Sequence, residues 1–210
     1  TFENSFFNHS KEYIFLNNET ILNKKKKIFE KIFKKNYDKK NNEILKNISI
    51  SDLSNFNYFY KPENEDFKIS IIDKYNYEIN VVNGICKNYE DDNIEIRNLT
   101  NLDFKSFLNQ NNDNLDDIIV DFNKIFLNAG IFFNIKSNSK LNIRIIHNTS
   151  VNFTIFQNSF INFKKNCEVQ LEEHFNFTHN SINNINYNIN LEEGANIKHN
   201  IFQNFSNTNK

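Results

Sequence analysis

The residues best suited to chemistry are two glutamates and two histidines late in the chain. Glu172, Glu173, His174 and His179 lie close together, and their carboxylates and imidazoles are common metal ligands. Alternation along a strand places Glu172 and His174 on the same face. A metal site needs three or four converging ligands, so this pattern favours a polar patch on the solvent side over a metal centre.

The two cysteines, Cys86 and Cys167, are too few for a disulfide scaffold or a four-cysteine metal site. Cys86 has no histidine or second cysteine nearby, and no Ser-His-acid set, phosphate-binding loop or dinucleotide fingerprint is present. We therefore predict no catalytic, cofactor-binding or metal-binding residue, and we predict that the chain is not an enzyme.

The elements that would position any site come from a repeat. Residues 133–141 (FNIKSNSKL), 161–169 (INFKKNCEV) and 189–197 (INLEEGANI) follow one another at intervals of 28 residues. Each copy alternates apolar and polar residues on both sides of an Asn or Gly, which is followed by a small side chain. Period-2 alternation turns one face of a strand inward, and it predicts this inward set: Phe133, Ile135, Leu141, Ile161, Phe163, Val169, Ile189, Leu191 and Ile197.

The middle Asn or Gly of each copy predicts a tight corner, because both residue types tolerate the left-handed backbone conformation. The small residue that follows, Ser139, Cys167 or Ala195, fits where the chain turns inward, so Cys167 is predicted to be a packed, inert thiol. A strand–corner–strand unit cannot bury its inner face alone, so successive units must stack. The pattern favours a β-solenoid over an antiparallel sandwich.

The N-terminal region has helical spacing. Leu22, Phe29 and Phe33 fall on one stripe of a helix predicted over residues 20–36, with Asn17 or Asn18 as its N-cap. The helix carries much of a lysine-rich block: Lys24, Lys25, Lys26, Lys27, Lys31, Lys34, Lys35, Lys39 and Lys40. A nucleic-acid-binding module at residues 20–40 is one interpretation, but arginines and interleaved aromatic residues are missing, which favours a solvated helix face.

Between these regions, residues 68–72 and 77–82 have strand composition, and Asn83-Gly84 is a strong turn signal, so we predict a hairpin. Helical intervals return from Leu115 to Phe126. No segment approaches the roughly 18 consecutive apolar residues of a membrane-spanning helix.

The composition is strongly skewed, with 45 Asn, 3 Gly, 1 Pro and no Met or Trp among 210 residues. Asn, Lys, Ile, Phe and Tyr have AT-rich codons, so we expect an AT-biased genome such as that of an endosymbiont, organelle or parasite. The lack of any Met also suggests an excerpt of a longer protein. The net charge of −1 gives no global field that would require nucleic acid.

Three stretches resemble the SufB/SufD family of the SUF iron–sulfur cluster assembly system, and SufD more than SufB. Residues 43–53 (EILKNISISDL) are similar to a Glu-x-Trp-Lys segment of the family, although Leu45 replaces the Trp. Residues 123–135 (NKIFLNAGIFFNI) are similar to the entry into its first β-helix strand. Residues 167–175 (CEVQLEEHF) are similar to its Glu-His-Phe stretch, and the 192–195 corner also fits.

The resemblance implies an α+β N-terminal region over residues 1–125, followed over residues 126–210 by the first coils of a right-handed parallel β-helix. It implies a non-catalytic scaffold subunit that pairs with a SufB-like β-helix paralogue and works with the ATPase SufC, whose docking region would lie beyond residue 210. The complex assembles iron–sulfur clusters, and this segment would bind no cofactor. A cytoplasmic or plastid-type location is expected, with no membrane or nucleic-acid partner. The alternative from the enzyme class is a β-helix carbohydrate-active protein.

Overall fold

The computed structural model describes residue 7 and residues 18–33, 68–72, 74–100, 102–104, 118–150, 152–178 and 181–205. These residues form mainly β-strands together with a few helices. In chain order the elements are α1 Glu19–Phe33, β1 Ile69–Ile72, β2 Tyr75–Val82, β3 Ile85–Cys86, β4 Tyr89–Glu90, β5 Ile94–Asn98, α2 Ile118–Phe126, β6 Ala129–Ile135, β7 Lys140–Asn148, β8 Thr154–Phe163, β9 Glu168–Phe177, β10 Ile182–Leu191 and β11 Asn196–Phe205.

The predicted N-terminal helix is confirmed, and it begins where its cap predicts. Asn18 Oδ1 accepts hydrogen bonds from the backbone N–H groups of Thr20 (3.0 Å) and Ile21 (3.3 Å), which satisfies two of the free donors at the helix start. Leu22 and Phe29 are buried, as the apolar stripe predicts. The structure describes the helix over Glu19–Phe33, and the last three residues of the predicted range, 34–36, lie outside the described residues.

The predicted hairpin is also confirmed. Strand β1 pairs antiparallel with β2, and Asn83 and Gly84 then join β2 to β3. Both turn residues have positive φ, 48° and 79°, which is the backbone of a type I′ turn and explains the Asn-Gly sequence.

The strands form two mixed sheets, neither of them closed. One has six strands in the order β1-β2-β7-β9-β11, with β3 alongside β2, and the other has five in the order β10-β8-β6-β5-β4. Strands on both sides of residue 125 share these sheets, since β2 pairs with β7 and β5 pairs with β6. The division into two domains at that residue stays a prediction.

The 28-residue period of the sequence is the register of the parallel strand pairs. Along β6, β8 and β10, and along β7, β9 and β11, each residue pairs with the residue 28 positions further along the chain. Ile161, for example, lies between Phe133 and Ile189. Each repeat therefore supplies one strand to each sheet and a corner between them.

The corners have the predicted backbone. Asn138, Asn166 and Gly194 have φ values of 62°, 57° and 72°. Ser139 and Cys167, the small residues that follow the two Asn corners, are buried. A Cβ at Gly194 would lie 2.3 Å from Asn166 Oδ1, so this corner also lacks room for a side chain unless Asn166 moves.

The core lies between the two sheets, and six of the nine predicted inward residues are buried in it. The last copy of the repeat differs: Ile189 and Leu191 are 46% and 52% exposed, and Ile197 is half-buried. They continue the buried columns of the earlier copies, but β10 and β11 are the outermost parallel strands, and no described strand stacks on them. A side chain that points inward is therefore buried only where a further strand covers it.

The two helices pack together, and α2 also contacts β8 and β10 of the five-stranded sheet. Asn128, just after α2, binds the edge of β8 like a strand residue: its side-chain amide donates to Thr154 O (2.7 Å), and its Oδ1 accepts from Phe156 N–H (2.9 Å). No helix in the described part of the chain is long and apolar enough to cross a membrane.

Lys25 does not lie on the solvent-exposed, lysine-rich face that was expected for α1. Its side chain is fully buried, while Lys26 and Lys27 are exposed. Position 25 lies one helical turn after the buried Ile21, so helix geometry places it on the packed side. The described part of the basic block is therefore less available to an external anion than its sequence indicates.

Candidate functional site: a buried Glu-His-Tyr cluster

A cluster of polar side chains lies in the interior of the fold. Glu173 on β9 is 1% exposed and occupies an inward position whose neighbours in the 28-residue column are Ile145 and Ile201. A carboxylate among apolar residues is costly unless polar partners surround it. Its partners come from the strands on either side and from the opposite sheet.

Four side chains form this cluster: Glu173, Tyr187 on β10, His147 on β7 and His199 on β11. The Tyr187 hydroxyl donates a hydrogen bond to Glu173 Oε2. The Nε2 atoms of His147 and His199 lie 3.9 Å and 3.8 Å from the same oxygen, just beyond hydrogen-bond distance. Three successive repeats thus contribute to one buried group.

Aromatic packing fixes the two imidazoles. The His147 ring stacks on Phe175 with 4.2 Å between centroids, and the His199 ring meets the edge of Tyr187 at 5.8 Å. These contacts hold both rings with an Nε2 near the carboxylate. Neither Nε2 has a hydrogen-bond partner in the structure.

The electrostatics of the cluster keep Glu173 ionised. Burial alone raises the pKa of this carboxyl, but the two imidazoles and the Tyr187 hydroxyl outweigh burial and lower the pKa to about 2. Burial and the adjacent carboxylate raise the pKa of Tyr187, so it remains a neutral donor. The cluster therefore holds a carboxylate whose charge persists in the interior.

The two histidines approach Glu173 along opposite diagonals of the sheet, because His147 pairs with Phe175 and His199 pairs with Leu171. Among the described residues, no group of three or more His, Cys, Asp and Glu side chains is arranged to hold a metal ion.

The pair singled out by the sequence, Glu172 and His174, lies on the outer face of the six-stranded sheet. Glu172 Oε2 is 3.7 Å from His174 Nε2 and accepts a 2.5 Å hydrogen bond from the Tyr75 hydroxyl. That hydroxyl also accepts from Arg144, and His174 stacks on Phe202 at 4.7 Å. The prediction of a polar patch on one face is confirmed for these two residues, whereas Glu173 points inward and His179 lies outside the described residues.

Both cysteines are buried thiols. Burial raises the pKa of Cys86 to about 12 and also raises the pKa of Cys167. A reactive cysteine needs a thiolate, which these surroundings disfavour. The prediction of a packed thiol at Cys167 agrees with its complete burial beside the corner.

The residues predicted as a candidate site do not include this cluster, although the sequence contains a signal for it. Counting in steps of two from Val169 places Glu173 inward, and the same count places His147 inward from Leu141 and His199 from Ile197. The signal for the cluster is that three ionisable residues, Glu173, His147 and His199, occupy inward positions of consecutive repeats. Which of them meet depends on side-chain directions across the strands, and the repeat pattern does not contain that information.

Comparison of the chain with protein-family models finds no matching family, and comparison with curated proteins and with solved structures finds no significant match.

Proposed function

We propose that residues 126–210 begin a right-handed parallel β-helix and that the chain is a non-catalytic scaffold subunit of a SUF-type iron–sulfur cluster assembly complex. The observation that carries the proposal is the parallel register of 28 residues, which is constant along β6, β8 and β10 and along β7, β9 and β11. A constant register across successive repeats is the arrangement that stacked β-helix coils require. The three stretches similar to the SufB/SufD family supply the link from this architecture to a function.

The corners and ladders support the coil arrangement. Asn side chains at equivalent positions hydrogen-bond along the stack, as in Asn176 to Asn148 (2.9 Å) and Asn204 to Asn176 (3.1 Å). Such ladders satisfy amides only when successive repeats lie in register. The repeat thus gives Asn a structural role at these positions, beyond any effect of codon composition.

The buried cluster suits a scaffold because it ties repeats to one another. Glu173 is in contact with residues of the repeats before and after it, and its charge lies in the interior. Breaking a buried charge cluster by removing one partner typically costs about 3–5 kcal/mol. In this proposal the polar groups of the cluster therefore stabilise the stacking of the repeats.

The partners in this proposal are a SufB-like β-helix paralogue and a SufC-like ATPase, and the iron–sulfur cluster is the product that the complex handles. The proposed location is the cytoplasm or a plastid-type organelle. The nucleic-acid alternative gains no support from α1, where Lys25 of the basic block is buried.

The test is affinity purification of the tagged full-length protein from its own cells, with identification of bound proteins by mass spectrometry. We expect an ABC-type ATPase and a second β-helix protein in amounts comparable to the tagged chain. Tagged protein carrying Glu173→Ala, which weakens the stack, is the matched control and should recover less of both. Recovery of a folded protein with neither partner would overturn the assembly role.

A further inference from the structure

Lys25 is a buried cation at the junction of α1 and α2. Its side chain is 0% exposed, and its Nζ donates a 2.6 Å hydrogen bond to the carbonyl oxygen of Leu127. That carbonyl lies one residue beyond the last residue of α2, Phe126, where a helix leaves acceptors without a partner. Lys25 thus binds the C-terminal end of α2 from a different helix.

The surroundings of this bond are apolar. Ile21, one turn before Lys25, packs with Leu99, Phe104 and Leu127, and Ile28 and the sheet residues Phe132 and Phe160 pack against this cluster. Among the described residues, the charged groups on the neighbouring elements are Asp121 and Lys124 on α2 and a set near β5, in which Arg97 pairs with Asp103 (2.7 Å) and Glu95 (3.5 Å). The helix dipole favours a cation at this end of α2, whereas the apolar surroundings disfavour one.

We propose that α1 is a latch whose docking on α2 and on the five-stranded sheet tightens when Lys25 loses its proton. The neutral amine keeps a hydrogen bond to Leu127 O without placing a charge in the apolar cluster. The ammonium form makes the same bond but loses its hydration. Undocking of α1 returns the ammonium to water and uncovers the apolar cluster around Phe132 and Phe160.

The direction of the pH response follows from the two states of Lys25. Burial lowers its pKa from 10.5 to about 7 in the docked state, while an undocked α1 exposes an ordinary lysine. Between these values the undocked state binds more protons, so docking strengthens as pH rises from about 7 toward 10.5. Below about pH 7 both states are protonated, and docking no longer responds to pH through this group.

The experiment is amide hydrogen exchange of the full chain, comparing α1 with β7, β8 and β9 and correcting for the intrinsic pH dependence of exchange. We expect the opening equilibrium of α1 to fall about tenfold per pH unit between pH 7 and pH 9. Lys25→Met, which substitutes an unbranched side chain one atom shorter and without a charge, should abolish this change. Lys27→Met, on the exposed side of the same helix, should leave it unchanged.

Two outcomes would overturn the latch. One is an opening equilibrium of α1 in the unaltered protein that does not change with pH while the strands behave normally. The other is a pH response that persists in Lys25→Met. If Lys25→Met fails to fold, the comparison between α1 and the strands in the unaltered protein still decides the matter. This inference does not depend on the proposed assembly role.

Discussion

Glu173 replaces an apolar side chain in a column that otherwise contains Ile145 and Ile201. Its charge is tolerated because Tyr187 donates to it and two imidazoles lie within 4 Å. A buried carboxylate with such partners stabilises the fold only while it is ionised. The pH dependence of the unfolding free energy therefore reports on the cluster.

Glu173→Gln should remove a pH-dependent part of the stability. The pKa of Glu173 is about 2 in the folded state and 4.5 in the unfolded state, so its contribution is present above pH 4.5 and is lost as pH falls toward 2. Between pH 5 and pH 2 the unfolding free energy of the unaltered protein should fall by about 3 kcal/mol relative to the variant. Urea denaturation at several pH values gives this difference.

The matched control for this measurement is Glu168→Gln on the same strand, an exposed carboxylate paired with Lys140 at 3.0 Å. Exposed pairs contribute about 0–1 kcal/mol, so this variant should follow the unaltered protein. A stability difference between Glu173→Gln and the unaltered protein that stays constant from pH 5 to pH 2 would contradict the described cluster.

Gly194 offers a second test at the scale of one residue. Its φ of 72° is in the left-handed region, where a residue with a Cβ costs about 1–2 kcal/mol. Gly194→Ala should therefore lower the unfolding free energy by at least that amount, because its Cβ must also displace Asn166 Oδ1, 2.3 Å away. Gly194→Asn should cost less, because Asn tolerates this conformation and is the residue found at the equivalent corners, 138 and 166. Equal losses in both variants, measured by urea denaturation, would argue against the corner.

The sequence predicts the corner residues and the inward columns, because both depend on local backbone preferences and on alternation. It does not predict that Lys25 Nζ bonds to Leu127 O or that His147 and His199 meet Glu173. Those outcomes are set by tertiary packing: the position of α2 against α1, and side-chain directions across strands that lie far apart in the chain. The patch of Glu172 and His174 could be predicted because it depends only on the alternation of side chains along one strand.

At the scale of elements, α1 depends on its cap. Asn18→Ala removes the acceptor for two N–H groups at the helix start and should destabilise α1 by about 1 kcal/mol. Asn23→Ala, at an exposed position inside the same helix, is the control and should slightly increase helix stability, since Ala has the higher propensity. Hydrogen exchange of α1 amides measures both, and equal protection in the two variants would contradict the cap.

At the scale of the whole molecule, no strand in the described part of the chain covers the stack beyond β10 and β11. Ile161 and Ile189 occupy the same column one repeat apart, yet Ile161 is 1% exposed and Ile189 is 46% exposed. Ile161→Ala should cost about 3 kcal/mol of unfolding free energy, and Ile189→Ala about 1 kcal/mol or less. Denaturant unfolding of the two variants measures this, and an equal cost at both positions would mean that Ile189 is covered.

The first five strands extend the two sheets at the end opposite β10 and β11. The alternation of residues 77–82 matches β2 because its polar positions face outward, while the pairing of β2 with β7 joins residues 66 positions apart and has no local signal. Sequence reasoning therefore identifies the elements and the repeat unit, but it does not identify which earlier strands extend the two sheets.

The parallel stacking of 28-residue repeats is the central claim, and a disulfide test addresses it most directly. Asn142 and Gln170 are exposed partners on β7 and β9, and neighbouring strands lie about 4.8 Å apart, within disulfide range. Asn142→Cys with Gln170→Cys should cross-link rapidly under mild oxidation, while Asn142→Cys with Lys198→Cys, two strands apart, should not. Cross-linking of the second pair but not the first would contradict the stack.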